Sequence, residues 1–138
     1  FTVTYININS IEAAYSSFAK YLLNFIGDRE WDYSWCVFEV FDKMATGSQW
    51  LSHDGVVDQI GGFDKDTSSL WEGLDAAMYV RDDILRATGQ RIWGLKFTLY
   101  PTGKFEIEYD YKKPEGYEET DEAINAREAF DDARRSQI

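Results

Sequence analysis

A single histidine, a single cysteine and several groups of carboxylates are the side chains with which this chain could do chemistry. His53 is followed at once by Asp54, a pair found in metal-dependent phosphohydrolases, but such centres draw on more histidines than one. Cys36 sits inside an apolar run, as a reduced core thiol does, and one cysteine excludes an internal disulfide. With that thiol buried, no Cys/His zinc centre can be assembled.

In DKDTSSLWEGLD, residues 64–75, Asp64, Asp66, Ser68, Glu72 and Asp75 fall at positions one, three, five, nine and twelve of a calcium loop. Position six is Ser69, where the sharp turn needs glycine, and no helix precedes the segment. The acids there read instead as an acidic helix start, favoured by the helix dipole. Asp64-Lys65-Asp66 also echoes an aspartate phosphotransferase motif, yet the preceding GGF is not the hydrophobic strand such a motif follows.

Glu106 and Glu108 would point the same way from one strand, about 7 Å apart from the rise per residue. Paired carboxylates can do acid–base work, but nothing around these two suggests a pocket. No GxSxG elbow, GxxxxGK[ST] loop or GxGxxG turn occurs. The expectation is a non-enzymatic protein that needs no metal and no cofactor.

Charge speaks more clearly than any motif. The 138 residues carry 14 basic and 25 acidic side chains, a net −11. Phosphate backbones need basic contacts, so direct nucleic-acid binding is disfavoured, and so is docking on an anionic membrane surface. The excess is concentrated: between Phe105 and Asp132 eleven acids face three bases. Such a run is commonly just a solvated face. It also suits a basic protein partner, whose approach it would accelerate and orient. Glu106, Glu108, Asp110, Glu118, Glu119, Asp121 and Glu122 are the candidate contacts, with Tyr117, Tyr100 and Trp50 as aromatic anchors where they are exposed.

The elements that must position these residues follow from periodicity. Ile11, Ala14, Tyr15, Phe18, Leu22 and Phe25 form one helical stripe, with Asn9 and Glu12 as a capping box and Gly27 closing the helix. YSWCVFEVF, residues 33–41, is apolar on both parities and reads as a central strand. SQWLSH returns after the turn DKMATG, and residues 54–66, with three glycines, read as an irregular connection. A second helix begins near Ser69, with a Ser69–Glu72 capping box. It carries Leu70, Leu74, Ala77, Met78, Arg81, Ile84 and Leu85 on its stripe and stops at Gly89.

The last strands are the clearest. IWGLKFTLY and GKFEIEYDY alternate about Pro101-Thr102-Gly103. One face takes Trp93, Leu95, Phe97, Leu99, Phe105, Ile107, Tyr109 and Tyr111; the other takes the acids with Lys96, Lys104 and Thr98. A mostly solvated helix is expected from about Thr120. The fold class is therefore α+β, an antiparallel sheet of about four strands with helices on one face, in the order α-β-β-α-β-β-α. No run reaches the roughly 18 apolar residues needed to span a bilayer, and the N-terminal stretch lacks a basic region followed by a hydrophobic one. A cytoplasmic protein is expected.

Residues 70–90, LWEGLDAAMYVRDDILRATGQ, and 92–111, IWGLKFTLYPTGKFEIEYDY, resemble the YezG-like immunity proteins of bacterial toxin systems. Gly89-Gln90, then Trp93, an apolar strand, Gly103-Lys104-Phe105 and Tyr109-Asp110-Tyr111 carry the resemblance, with the helix before Trp31 and the aromatic strand in keeping. The similarity covers about a third of the chain closely. It implies one immunity-protein-like domain over residues 1–138 that neutralises a cognate toxin, often a nuclease. The competing expectation is an adaptor or regulatory module for another basic protein or peptide. Oligomeric state is open.

Overall fold

The computed structural model describes residues 10–115, which form two helices and one antiparallel five-stranded sheet. Helix α1 spans Ile11–Ile26, strands β1, β2 and β3 span Tyr33–Val40, Ala45–His53 and Val56–Asp58, helix α2 spans Ser68–Thr88, and β4 and β5 span Gly94–Leu99 and Phe105–Asp110. Across the sheet the order is β3-β2-β1-β4-β5. The α+β class and the antiparallel sheet match the sequence expectation; the strand count and element order do not. The helix expected from Thr120 lies outside the described residues.

The additional strand is β3. His53-Asp54-Gly55-Val56 is a two-residue hairpin whose central residues both have positive φ, 50° at Asp54 and 78° at Gly55. That backbone twist suits an antiparallel hairpin, and Asp-Gly is its preferred sequence. The segment read as irregular therefore begins as a β-turn and only then becomes a connection.

Helix α1 is built as its stripe requires: Ala14, Phe18, Leu22 and Phe25 are buried. Its cap is shifted by one residue. The hydroxyl of Ser10 accepts from Ala13 N at 3.1 Å, so Ser10 caps and Glu12 already lies inside the first turn. Gly27 closes it with φ 60° and ψ −129°, a positive-φ conformation outside the left-handed helical basin.

Helix α2 departs further from expectation. Ser69 is buried in its first turn and donates its hydroxyl to Asp66 O, while Asp66 accepts from Ser68 N at 3.0 Å. Glu72 turns to Lys20 of α1, 3.2 Å away, so no capping box forms. The buried face is Ser69, Gly73, Leu74, Ala76, Ala77 and Val80. Leu85 is exposed, and Arg81 donates to the carbonyls of Phe41 and Asp42. Small side chains on that face let α2 lie close against α1.

Strand β1 is central as expected, but only one of its faces is fully covered. Ser34, Cys36, Phe38 and Val40 are buried, while Tyr33 and Glu39 are exposed. Register continues the covered face through Leu51 on β2 and Leu95, Phe97 and Leu99 on β4. Phe18 of α1 packs on it, with ring centroids 5.3 Å from Phe38 and 5.5 Å from Phe97. Each buried Phe contributes about 1.5–3 kcal/mol by removal from water. On β5 the cover thins: Phe105 is 43% exposed, held by the ring of Tyr15 at 5.5 Å, and Tyr109 bonds the Tyr15 hydroxyl at 2.8 Å. Trp93 and Tyr111 fall just outside the strands. Among the described residues no helix is long and apolar enough to cross a membrane.

Candidate partner-binding face

Strand alternation assigns the other face of the sheet. Beginning from Trp35↔Trp50, Trp35↔Thr98 and Thr98↔Glu106, the register carries Tyr33, Trp35, Val37 and Glu39 of β1 onto one surface. Beside them lie Ser48 and Trp50 of β2, Lys96 and Thr98 of β4, and Glu106, Glu108 and Asp110 of β5. This is the face turned away from α1 and α2: its neighbours in β1 and β4 are buried core residues, and Ile107 and Tyr109 of β5 pack against that core.

Glu106, Glu108 and Asp110 are all exposed there. Glu108 lies directly across from Lys96 and Glu106 from Thr98, whereas Asp110 faces Gly94 and has no side chain opposite. Glu39, a fourth exposed acid, belongs to the same surface. Among the described strand residues of this face Lys96 is the single base, so the face keeps an excess of negative charge.

Next to the acids stands a row of aromatic rings. Trp35 and Trp50 stack at 5.8 Å with planes 16° apart, Tyr33 stacks on Trp35 at 5.5 Å, and Tyr100 lies 6.4 Å from Tyr33. Lys96 Nζ sits 5.9 Å from the Trp35 ring centroid, at the outer limit of a cation–π contact. Tyr100 titrates above its ordinary range, first because burial disfavours the phenolate and then because the Glu106 carboxylate beside it repels the charge. Tyr33, Trp35, Lys96, Thr98, Tyr100, Glu106 and Glu108 line a groove of about 360 Å³. A larger recess of about 730 Å³ opens at the other end of β4, between Val37, Glu39, Trp93, Glu108 and Asp110.

Three of the eight candidate contacts are thus brought together in one row; Tyr100 falls beside Glu106, while Trp50 shares the face but lies three strands away on β2. Tyr117, Glu118, Glu119, Asp121 and Glu122 lie outside the described residues. Sequence reasoning missed Tyr33, Trp35 and Glu39. Their strand is apolar on both parities, so the sequence could not tell which parity meets the helices; only pairing with β4, whose alternation is clear, decides it.

The other candidate chemistries separate. The calcium-loop residues do not form a loop, because Ser68, Glu72 and Asp75 are in or on helix α2. Lys20 from α1 reaches both Asp66 and Glu72, at 3.8 and 3.2 Å. Cys36 is fully buried, its thiol donating weakly to Phe97 O at 3.8 Å, and burial pushes it far above its ordinary pKa. It is no nucleophile in the folded chain. His53 closes β2 at the opposite end of the sheet from β5.

No protein-family model matches this sequence, and no curated protein matches it closely enough to count.

Proposed function

We propose that the chain is an immunity protein that binds and neutralises a basic toxin domain, of the nuclease kind, through the face of its sheet turned away from α1 and α2. The observation that carries this reading is the row Glu106, Glu108 and Asp110, exposed on one strand of the face that also carries half-buried Trp35, Trp50 and Tyr100. A nuclease holds phosphates with Lys and Arg; an ordered row of carboxylates presents the same charge on a rigid scaffold and occupies the same cations. Stacked indoles and phenols beside the row supply the large, rigid apolar contacts that dominate protein interfaces. Charge would steer the encounter and the aromatics would slow dissociation. The fold is an immunity-protein domain working in the cytoplasm of the toxin's producer, with no catalytic step of its own.

A groove walled by aromatics also favours a second reading, an adaptor that holds an extended basic peptide. Gene position separates the two, since an immunity gene directly follows the gene of its toxin.

The test is association kinetics with the toxin domain encoded by the neighbouring gene. Glu106→Lys, Glu108→Lys and Asp110→Lys together should slow association by about 10- to 1000-fold at low ionic strength and weaken its salt dependence. Wild-type protein that forms no complex with that domain refutes the function. A complex whose on-rate ignores the triple reversal refutes the face.

A further inference from the structure

The sheet ends on one side at β5, and among the described residues no further strand pairs with that edge. Which backbone groups the edge leaves open follows from the hairpin. Tyr100 N donates to Lys104 O at 2.9 Å, and Trp93 N donates to Asp110 O at 2.7 Å. Alternate residues of an antiparallel ladder bond the neighbouring strand, so Glu106, Glu108 and Asp110 turn their backbone groups toward β4. Phe105, Ile107 and Tyr109 turn their N–H and C=O outward, where no described group bonds them.

The side chains of these three residues lie on the helix-covered face, at the place where its cover is thinnest. Phe105 is exposed, and Ile107 and Tyr109 are only half-buried. On the opposite face Glu106, Glu108 and Asp110 form no ion pair with any described lysine or arginine. The other edge of the sheet is different. Strand β3 has three residues, and Arg29 closes its end by pairing with Asp58 at 3.5 Å and donating to Ile60 O at 2.6 Å.

We infer that β5 is a docking edge, along which a partner lays an extended segment as an added strand. Apolar side chains of that segment lie beside Phe105, Ile107 and Tyr109, and its lysines or arginines beside Glu106, Glu108 and Asp110. The inference rests on the reading above that β5 meets a basic protein, and it adds the form in which that protein is held. In strand addition the backbone hydrogen bonds supply affinity and the alternating side chains supply specificity. Charge selects the occupant, because opposite charges across neighbouring strands attract and like charges repel. Two copies of this chain paired antiparallel about Ile107 would set Glu106 of each against Glu108 of the other. The acids therefore guard the edge against self-association and leave it open to a cationic strand.

The test uses the tag-free full chain, ¹⁵N-labelled, at low ionic strength, with the blocked peptide Thr-Lys-Val-Arg-Val-Lys-Thr. At saturating peptide, hydrogen exchange at the amides of Phe105, Ile107 and Tyr109 should slow by about tenfold or more, while Glu106, Glu108 and Asp110, already in the ladder, change less. The same peptide N-methylated at both valines keeps every charge but loses the donors that face β5, and should bind about tenfold or more weakly. Equal binding by the N-methylated peptide overturns the inference, since charge on the open face would then be the whole attraction. Unslowed exchange at the three amides overturns it, as does full protection of them in the free chain, whether at all concentrations (the edge held by the chain itself) or only at high ones (held by a second copy). The peptide reads the edge without the toxin, so strand addition can fail while the toxin complex forms, and the reverse.

Discussion

Gly73 sets two opposed effects against each other, and the structure decides between them. It lies inside α2, where alanine is favoured over glycine by about 0.8–1.0 kcal/mol from helix propensity alone. An added Cβ, however, would stand 2.5 Å from Tyr21 Cδ2 and 3.2 Å from both Cε2 and Cγ, against the roughly 3.5–4.0 Å at which carbons pack best. Tyr21 has little room to yield. Its hydroxyl donates to Gln49 Oε1 at 2.5 Å, and its ring meets Phe38 and Phe63 edge-on at 5.2 and 5.1 Å. The helices must therefore separate, and overpacking of this kind costs about 1–3 kcal/mol, here toward the upper end because the ring is held on both sides.

The net expectation for Gly73→Ala is a loss of about 1–2 kcal/mol. In urea the midpoint should fall with an unchanged m-value, and Tm should drop by about 4–8 °C. Adding Tyr21→Leu should remove the clash, so the double variant should lose less than the two single losses added together. A Gly73→Ala protein as stable as wild type, or more stable, would refute the reasoning. The α1–α2 spacing would then not be set by the missing side chain.

Cys36 should react with a thiol reagent only when the sheet opens: labelling of the folded chain should be roughly a thousandfold or more slower than in guanidinium, and rapid labelling at pH 8 would contradict its burial. The carboxyl of Asp66 is held below the usual range, first by the Ser68 hydroxyl hydrogen bond. A group depressed in the folded state contributes stability above its unfolded pKa of about 3.9 and loses it as pH falls through the lower folded value. Urea midpoints of wild type and Asp66→Asn should therefore differ at pH 5 and converge at lower pH; a gap that stays constant with pH would show that the charge is not responsible.

Legibility in the sequence followed the strength of each local signal. The β4–β5 hairpin was plain because its alternation is strict and Gly103, with φ 87°, turns where a glycine was required. Helix α1 was plain because its stripe is large and apolar. The buried face of α2 was legible only in part: Leu74 and Ala77 of the expected stripe are buried, whereas Gly73, which lies against Tyr21, and Ala76 carry little hydrophobic signal. Strand β3 was missed although Asp54-Gly55 announced it, because only three paired residues follow and Val56 and Val57 are exposed. The acid row could be read from one strand. The aromatic row on the same face could not, because it needs three strands in register.

The position of β1 has a consequence for how the chain is made. Of the described strands it is the first to be translated, and it must be flanked by β2 on one edge and β4 on the other. Its β4 partner is translated roughly fifty residues later, a delay of about 3–10 s at ordinary elongation rates. For that interval the nascent sheet shows Cys36 and Phe38 beside an unpaired backbone edge, a template for adhesion to other chains. Slowing synthesis between Val40 and Gly94 should lower the yield of folded protein, whereas slowing it after Asp110 should not.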